Sequence, residues 1–192
     1  HLFGLPLNTA RELINQCDPK PNNGDYLFDI LIQEGVLSED LVYDNNAEKS
    51  LPVVNVLLQK NRLDSKAISM KAKNLIALNE VKLAKRQLNI LFGLWNEDAR
   101  NLVELSKLQL QVNDINGAEK SLEIAYNIAP NVLPVIINTI EVKVRLKKLG
   151  EASSLLKNAE RSGYKSNVYI LILKGDVALA KGGTQRAFSY YS

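Results

Sequence analysis

Residues 113–130 read NDINGAEKSLEIAYNIAP, and this stretch decides the fold. Within it Ala118, Leu122 and Ala125 stand at i, i+4 and i+7, so they share one face of a helix that closes at Pro130. The face is narrow and partly small. Two helices joined by a short turn bring their backbones close only where no bulky side chain separates them, so Ala118 reads as a contact between paired helices.

Working outward, the same small residue recurs: Ala84, Ala118 and Ala152 stand 34 residues apart. Leu88, Leu122 and Leu156 follow four residues later, and Leu91, Ala125 and Ala159 seven later. A fixed period of this size is the mark of a stacked array. The period predicts three units over 65–98, 99–132 and 133–167, with a fourth from Val168. In the fourth, Gly175 fits a close-packing position, Lys181-Gly182-Gly183 makes the turn, and Ala187 with Tyr191 begins the second helix. The chain ends at Ser192 within that helix and opens at His1 rather than methionine, which reads as a piece of a longer protein.

Upstream, Ala47-Glu48-Lys49-Ser50-Leu51 repeats Ala118-Glu119-Lys120-Ser121-Leu122 residue for residue, 37 positions before Ala84. Another 37 positions reach Ala10, with Ile14 and Cys17 in register. Residues 1–64 are therefore expected to hold two degenerate helical repeats, and 65–192 three units plus a truncated fourth, in one continuous array. Asn8 or Thr9 with Glu12 starts a helix in capping-box style, DPKPNNG at 18–24 breaks it, and Gly35 and Ser38 interrupt the next. The runs 53–58 and 168–173 are apolar or β-branched, but each sits inside a longer helical period, so both are expected to be helix.

The pattern resembles the tetratricopeptide repeat, a helix-turn-helix unit of about 34 residues. Asn113-Asp114 takes the place of that family's Gly-Asp turn between helix A and helix B. Ala118 is its small helix B residue, Leu122 replaces its aromatic, and Pro130 ends the unit. Leu102, Leu105 and Ser106 occupy the helix A slots where the family favours Trp, Leu and Gly. Trp95 lies outside the aromatic slot and is expected in the turn between units. The resemblance implies an all-α fold, a right-handed superhelix of about five antiparallel helix pairs (an α-solenoid).

It also implies a place for ligand, since the family binds on its concave side through helix A positions 2, 5, 9, 12 and 13. In the first unit these slots hold Lys66, Ser69, Lys73, Ile76 and Ala77, and in the second Arg100, Val103, Lys107, Leu110 and Gln111. The third has Pro134, Ile137, Glu141, Val144 and Arg145, and the fourth Tyr169, Ile172, Asp176, Leu179 and Ala180. Lys66, Lys73, Arg100 and Lys107 make the first half basic, whereas Ile137, Val144, Tyr169 and Ile172 make the second half apolar. A peptide or protein with an acidic and a hydrophobic part would suit such a surface. The carboxylate clamp of some relatives is not reproduced: Ser69 and Lys73, then Val103 and Lys107, stand where it needs Lys and Asn, and Asn138 is an isolated match.

Composition narrows the alternatives. With 46% hydrophobic and 23% charged residues the chain can bury a core as a soluble globular protein. A net charge of +3 and 6% aromatic residues give no case for nucleic acid. One cysteine excludes an intrachain disulfide but leaves a cytoplasmic and a bacterial periplasmic location open. No run approaches the roughly 20 apolar residues of a membrane span.

Catalysis lacks a rigid base, because His1 is the only histidine. Gly182-Gly183 lacks the preceding strand and following Lys of a phosphate-cradling loop. Glu39, Asp40 and Asp44 lack the ordered oxygens of a calcium loop, and no His/Cys set suits a metal. Cys17 reads as structural, and no cofactor is expected. The function expected is a non-catalytic protein-binding scaffold. The alternatives are a self-association or assembly module, or a segment that anchors or regulates a larger protein. For the latter, KGDVALAKG at 174–182 resembles long bacterial repeat proteins of polysaccharide export and surface assembly.

Overall fold

The structure, a computed structural model, describes residues 47–191. The repeat register of Ala10, Ile14 and Cys17, the capping box at Asn8, Thr9 and Glu12, the break at 18–24, the interruptions at Gly35 and Ser38 and the acidic loop of Glu39, Asp40 and Asp44 lie outside the described residues.

Among the described residues the chain is helical without strands. The helices are α1 (Ala47–Lys60), α2 (Ser65–Ala77), α3 (Val81–Leu94), α4 (Ala99–Gln111), α5 (Ile115–Ile128), α6 (Leu133–Arg145), α7 (Leu149–Ala159), α8 (Val168–Ala180) and α9 (Thr184–Tyr191). The runs 53–58 and 168–173 lie inside α1 and α8, where a helical period outweighs β-branching. Short polar residues set several starts: Asp64 accepts from Ala67 N, Asp98 from Arg100 N and Asn101 N, and Asn167 from Tyr169 N and Ile170 N. Helix α6 instead carries Pro134 in its first turn, where the missing N–H costs nothing.

The described helices fall into two compact units, one ending at Gln87 and the other beginning at Leu88. In the first, α1 packs against α2. Asn74 Nδ2 donates to Ser50 Oγ across that pair at 2.7 Å.

In the second unit three hairpins follow one another: α4 with α5, α6 with α7, and α8 with α9. Each B helix also meets the next A helix, α5 on α6 and α7 on α8, and successive A helices touch, α4 on α6 and α6 on α8. Ile136, Ile140, Ala152, Leu156, Ala159, Ile170, Leu173 and Val177 form the buried core between the third and fourth A helices and α7. Ala84, Ala118 and Ala152 are fully buried, as the close approach of paired helices requires. Trp95 lies half-buried in the turn between α3 and α4.

Among the described residues one turn design recurs after each A helix. Asn79, Asn113, Lys147 and Gly182 all have positive φ, at 60°, 55°, 58° and 83°. The following residues Glu80, Asp114, Lys148 and Gly183 donate their N–H groups to the carbonyls of Leu75, Gln109, Lys143 and Ala178 at 2.8–2.9 Å. This six-to-one bond satisfies a terminal carbonyl and reverses the chain within two residues. Asn tolerates the left-handed region better than most side chains, and glycine enters it freely, but Lys147 carries the full steric penalty.

The intervals are not uniform. Helices α2, α4 and α6 start 34 residues apart, but α8 starts 35 after α6. The additional residue is taken up after α7 in a wide π-type turn, Glu160–Tyr164, where Gly163 has φ 93°. Tyr164 OH donates to the Asn131 carbonyl at 2.9 Å and Ser162 Oγ to Asn131 Oδ1 at 3.1 Å, so the turn is held against the preceding loop.

A charged group also sits inside the hairpin stack. Lys143, on α6, is almost wholly buried and its Nζ lies 2.7 Å from Glu119, 3.0 Å from Glu123 and 2.7 Å from Glu151. Burial by itself would push the ammonium's pKa down. The bonds to the three carboxylates overcome that and hold it above the usual lysine range. Burial likewise works against the Glu119 carboxylate, but Lys143 and Lys148 together hold its pKa below the usual value.

Candidate interaction surface

The A-helix slots sort into distinct classes of exposure. Lys66 and Lys73 are exposed on α2 in the first unit. In the second unit Arg100, Lys107 and Arg145 are exposed, and Leu110, Ile137, Glu141, Val144 and Asp176 are partly covered. Tyr169 and Ile172 are 63% and 42% exposed, and Leu179 is 52% exposed. Val103 and Ser69 are buried, so position 5 offers a partner little on α4 or α2.

Within the second unit, position 9 of three successive A helices comes together. The Glu141 carboxyl is raised above the usual value mainly by burial, against the pull of Arg145 and Lys107 and with Asp176 adding to the rise. Lys107 on α4, Glu141 and Arg145 on α6, and Asp176 on α8 therefore lie within electrostatic reach as one charged row. Asp176 is fixed from the fourth hairpin, because Tyr191 OH donates to its Oδ1 at 2.6 Å. That bond raises the phenol's pKa, since the neutral O–H is the form that donates.

Beside this row the exposed apolar side chains are Tyr169, Ile172 and Leu179, spaced along one stripe of α8. Ile137 and Val144 contribute less, because each spends part of its surface against the core. Within the second unit the A-helix slots mix charged with apolar side chains. Glu141 and Asp176 stand among the apolar residues, and Arg145 balances them. Sequence spacing could place these residues on A helices but could not give the cover over Ile137 or the Tyr191–Asp176 bond.

Among the described residues no group of three His, Cys, Asp or Glu side chains could hold a metal ion. No described helix is long and apolar enough to cross a membrane.

No protein-family model matches the chain, and no curated protein matches it in sequence. Solved structures do resemble it in fold. The crystal structure of MamA protein superposes with a TM-score of 0.66 at 10% identity, covering 85% of this chain and 88% of MamA. A tetratricopeptide repeat protein from Parabacteroides merdae gives 0.64 at 14% identity, over 96% and 70% of the two chains. Pseudomonas aeruginosa PilF gives 0.58 at 18% identity, over 96% and 74%.

Proposed function

We propose that this chain, which has the tetratricopeptide-repeat fold, is a non-catalytic scaffold that docks a peptide or protein partner along its A helices. The observation that carries the reading is the exposed stripe of Tyr169, Ile172 and Leu179 beside the row of Lys107, Glu141, Arg145 and Asp176. Aromatic and aliphatic anchors supply affinity when buried, whereas exposed charges mainly steer the encounter and fix its direction. A partner with a hydrophobic segment flanked by acidic residues meets both demands, its acids facing Arg100, Lys107 and Arg145. A fold of stacked helix pairs presents an extended face on which such a segment can lie.

Selection of a displayed peptide library on the intact chain tests this. Enriched peptides should pair acidic with hydrophobic residues, and I172D should weaken them by at least about tenfold, as expected for a buried anchor. R100E/K107E should lower the association rate and flatten its salt dependence. Peptides that bind I172D and Y169A as tightly as the parent chain would remove this face as the docking site.

Self-association is a second reading, favoured by Phe188, which is 74% exposed on α9. Sedimentation velocity separates the two: F188D abolishes a concentration-dependent dimer if that residue joins copies, and leaves peptide binding intact.

A further inference from the structure

The other side of α8 carries a different chemistry. A cleft of about 490 Å³ lies between α7, α8 and α9, and Lys157, Lys174, Lys181 and Arg186 line it. Glu160 is the only carboxylate in its lining, and it is taken up by an ion pair with Lys174. Lys174 and Lys181 come from positions i and i+7 of one helix face and its end, away from the stripe of Ile172 and Leu179.

Two of the four cations, Lys174 and Lys181, are held by neighbouring side chains. Lys174 has a side chain only 13% exposed, and its Nζ stands 5.6 Å from the centre of the Tyr190 ring. Lys181 Nζ donates to Ser153 Oγ at 2.7 Å, which ties α8 to α7 across the cleft. Positive charge concentrated in a concave site with low-dielectric walls raises the local concentration of anions more than the same charges spread on an open surface.

We propose that this cleft binds a phosphate-bearing ligand. One carboxylate against four cations leaves an excess that a singly charged carboxylate only partly meets. A phosphate monoester carries close to two charges at neutral pH and three acceptor oxygens, which matches several separate donors at once. The volume exceeds what the phosphoryl group alone fills, so the cleft accepts the group to which it is attached, either a small molecule or a phosphorylated side chain. This site is independent of the A-helix docking face and stands whether or not that face binds a peptide.

The test is titration of the isotopically labelled chain with inorganic pyrophosphate, followed by amide NMR. Saturable shifts are expected at Ser153, Lys181 and Gly183. K181E/R186E should weaken binding by at least about tenfold, since two cations facing one multivalent anion are reversed. K120E, with its charge change at an exposed position of α5, should leave binding unchanged; if K181E/R186E fails to fold, K157Q/R186Q replaces it. ADP and a phosphoserine peptide then identify the source, the tighter of the two naming it. Shifts that do not saturate, an equal loss in K120E, or failure of all three phosphate compounds to bind would overturn the proposal.

Discussion

Lys143 Nζ and the Glu119 carboxylate lie 2.7 Å apart, joining α6 to the B helix before it inside a nearly closed interface. Glu123 and Glu151 are about half exposed, so the full penalty of a dry ion pair does not apply. K143M leaves three carboxylates without their shared cation and should cost about 2–3 kcal/mol in denaturant titration. Adding E119Q should recover part of it, a coupling that a double-mutant cycle reads directly.

The same cluster fixes a pH dependence. The folded Glu119 pKa lies below the ordinary 4.5, so its contribution is present above that value and is lost as pH falls through the folded one. The folded Lys143 pKa lies above the ordinary 10.5, so its contribution persists below that value and is lost in stronger base. The stability gap between the parent chain and K143M should therefore be flat from neutral to mildly alkaline pH and should close in acid below about pH 4.5.

Glu141 behaves in the opposite sense. Its folded pKa is raised, so ionisation works against folding at neutral pH. E141Q should raise the melting temperature by about 1–2 °C at pH 7 and give no gain below the ordinary carboxylate value. It should also tighten acidic peptides selected on the A-helix face. A fall in melting temperature would place a needed hydrogen bond on this carboxylate.

Gly175 is buried on α8, and a Cβ there would run into the Tyr191 ring. G175A gains about 1 kcal/mol of helix propensity but forces ring and helix apart, so a net loss of about 1–2 kcal/mol is expected. Because Tyr191 holds Asp176, the same change should release that carboxylate and weaken peptide binding. G175A/Y191A should recover stability without recovering the Asp176 position, which thermal melts and peptide titration distinguish.

Lys147 occupies the left-handed position that Asn79, Asn113 and Gly182 fill elsewhere. K147G should stabilise the chain by about 0.5–1 kcal/mol, and K147A should bring no such gain, because alanine meets the same Cβ clash.

The fold was legible because its signal is local and repeated. Ala84, Ala118 and Ala152, with the leucines four residues later, mark the face where paired helices meet, and all six are buried. The turn was legible at Asn113-Asp114 for the same reason. It was hidden at Lys147-Lys148, where residue type argues against positive φ and the neighbouring bonds impose it. The A-helix slots were countable, but Val103 is covered and Ile137 half spent on the core, and exposure depends on neighbours far along the chain. Lys143 gave no sign in sequence, since Glu119 and Glu123 stand 24 and 20 residues before it. Only stacking of successive hairpins brings them together. The cationic cleft was missed because its residues come from three helices and no single period links them.

The wide turn at Glu160–Tyr164 has a consequence for phase. One residue added within a helix rotates everything after it by about 100°, which would swing Ile170, Leu173 and Val177 out of the core. Placed in the turn, the additional residue changes the count and leaves the orientation alone. Tyr169, Ile172 and Asp176 thus keep step with Pro134, Ile137 and Glu141 despite the longer interval. The chain measures its repeats by angle rather than by number, and this corner is where it discards the remainder.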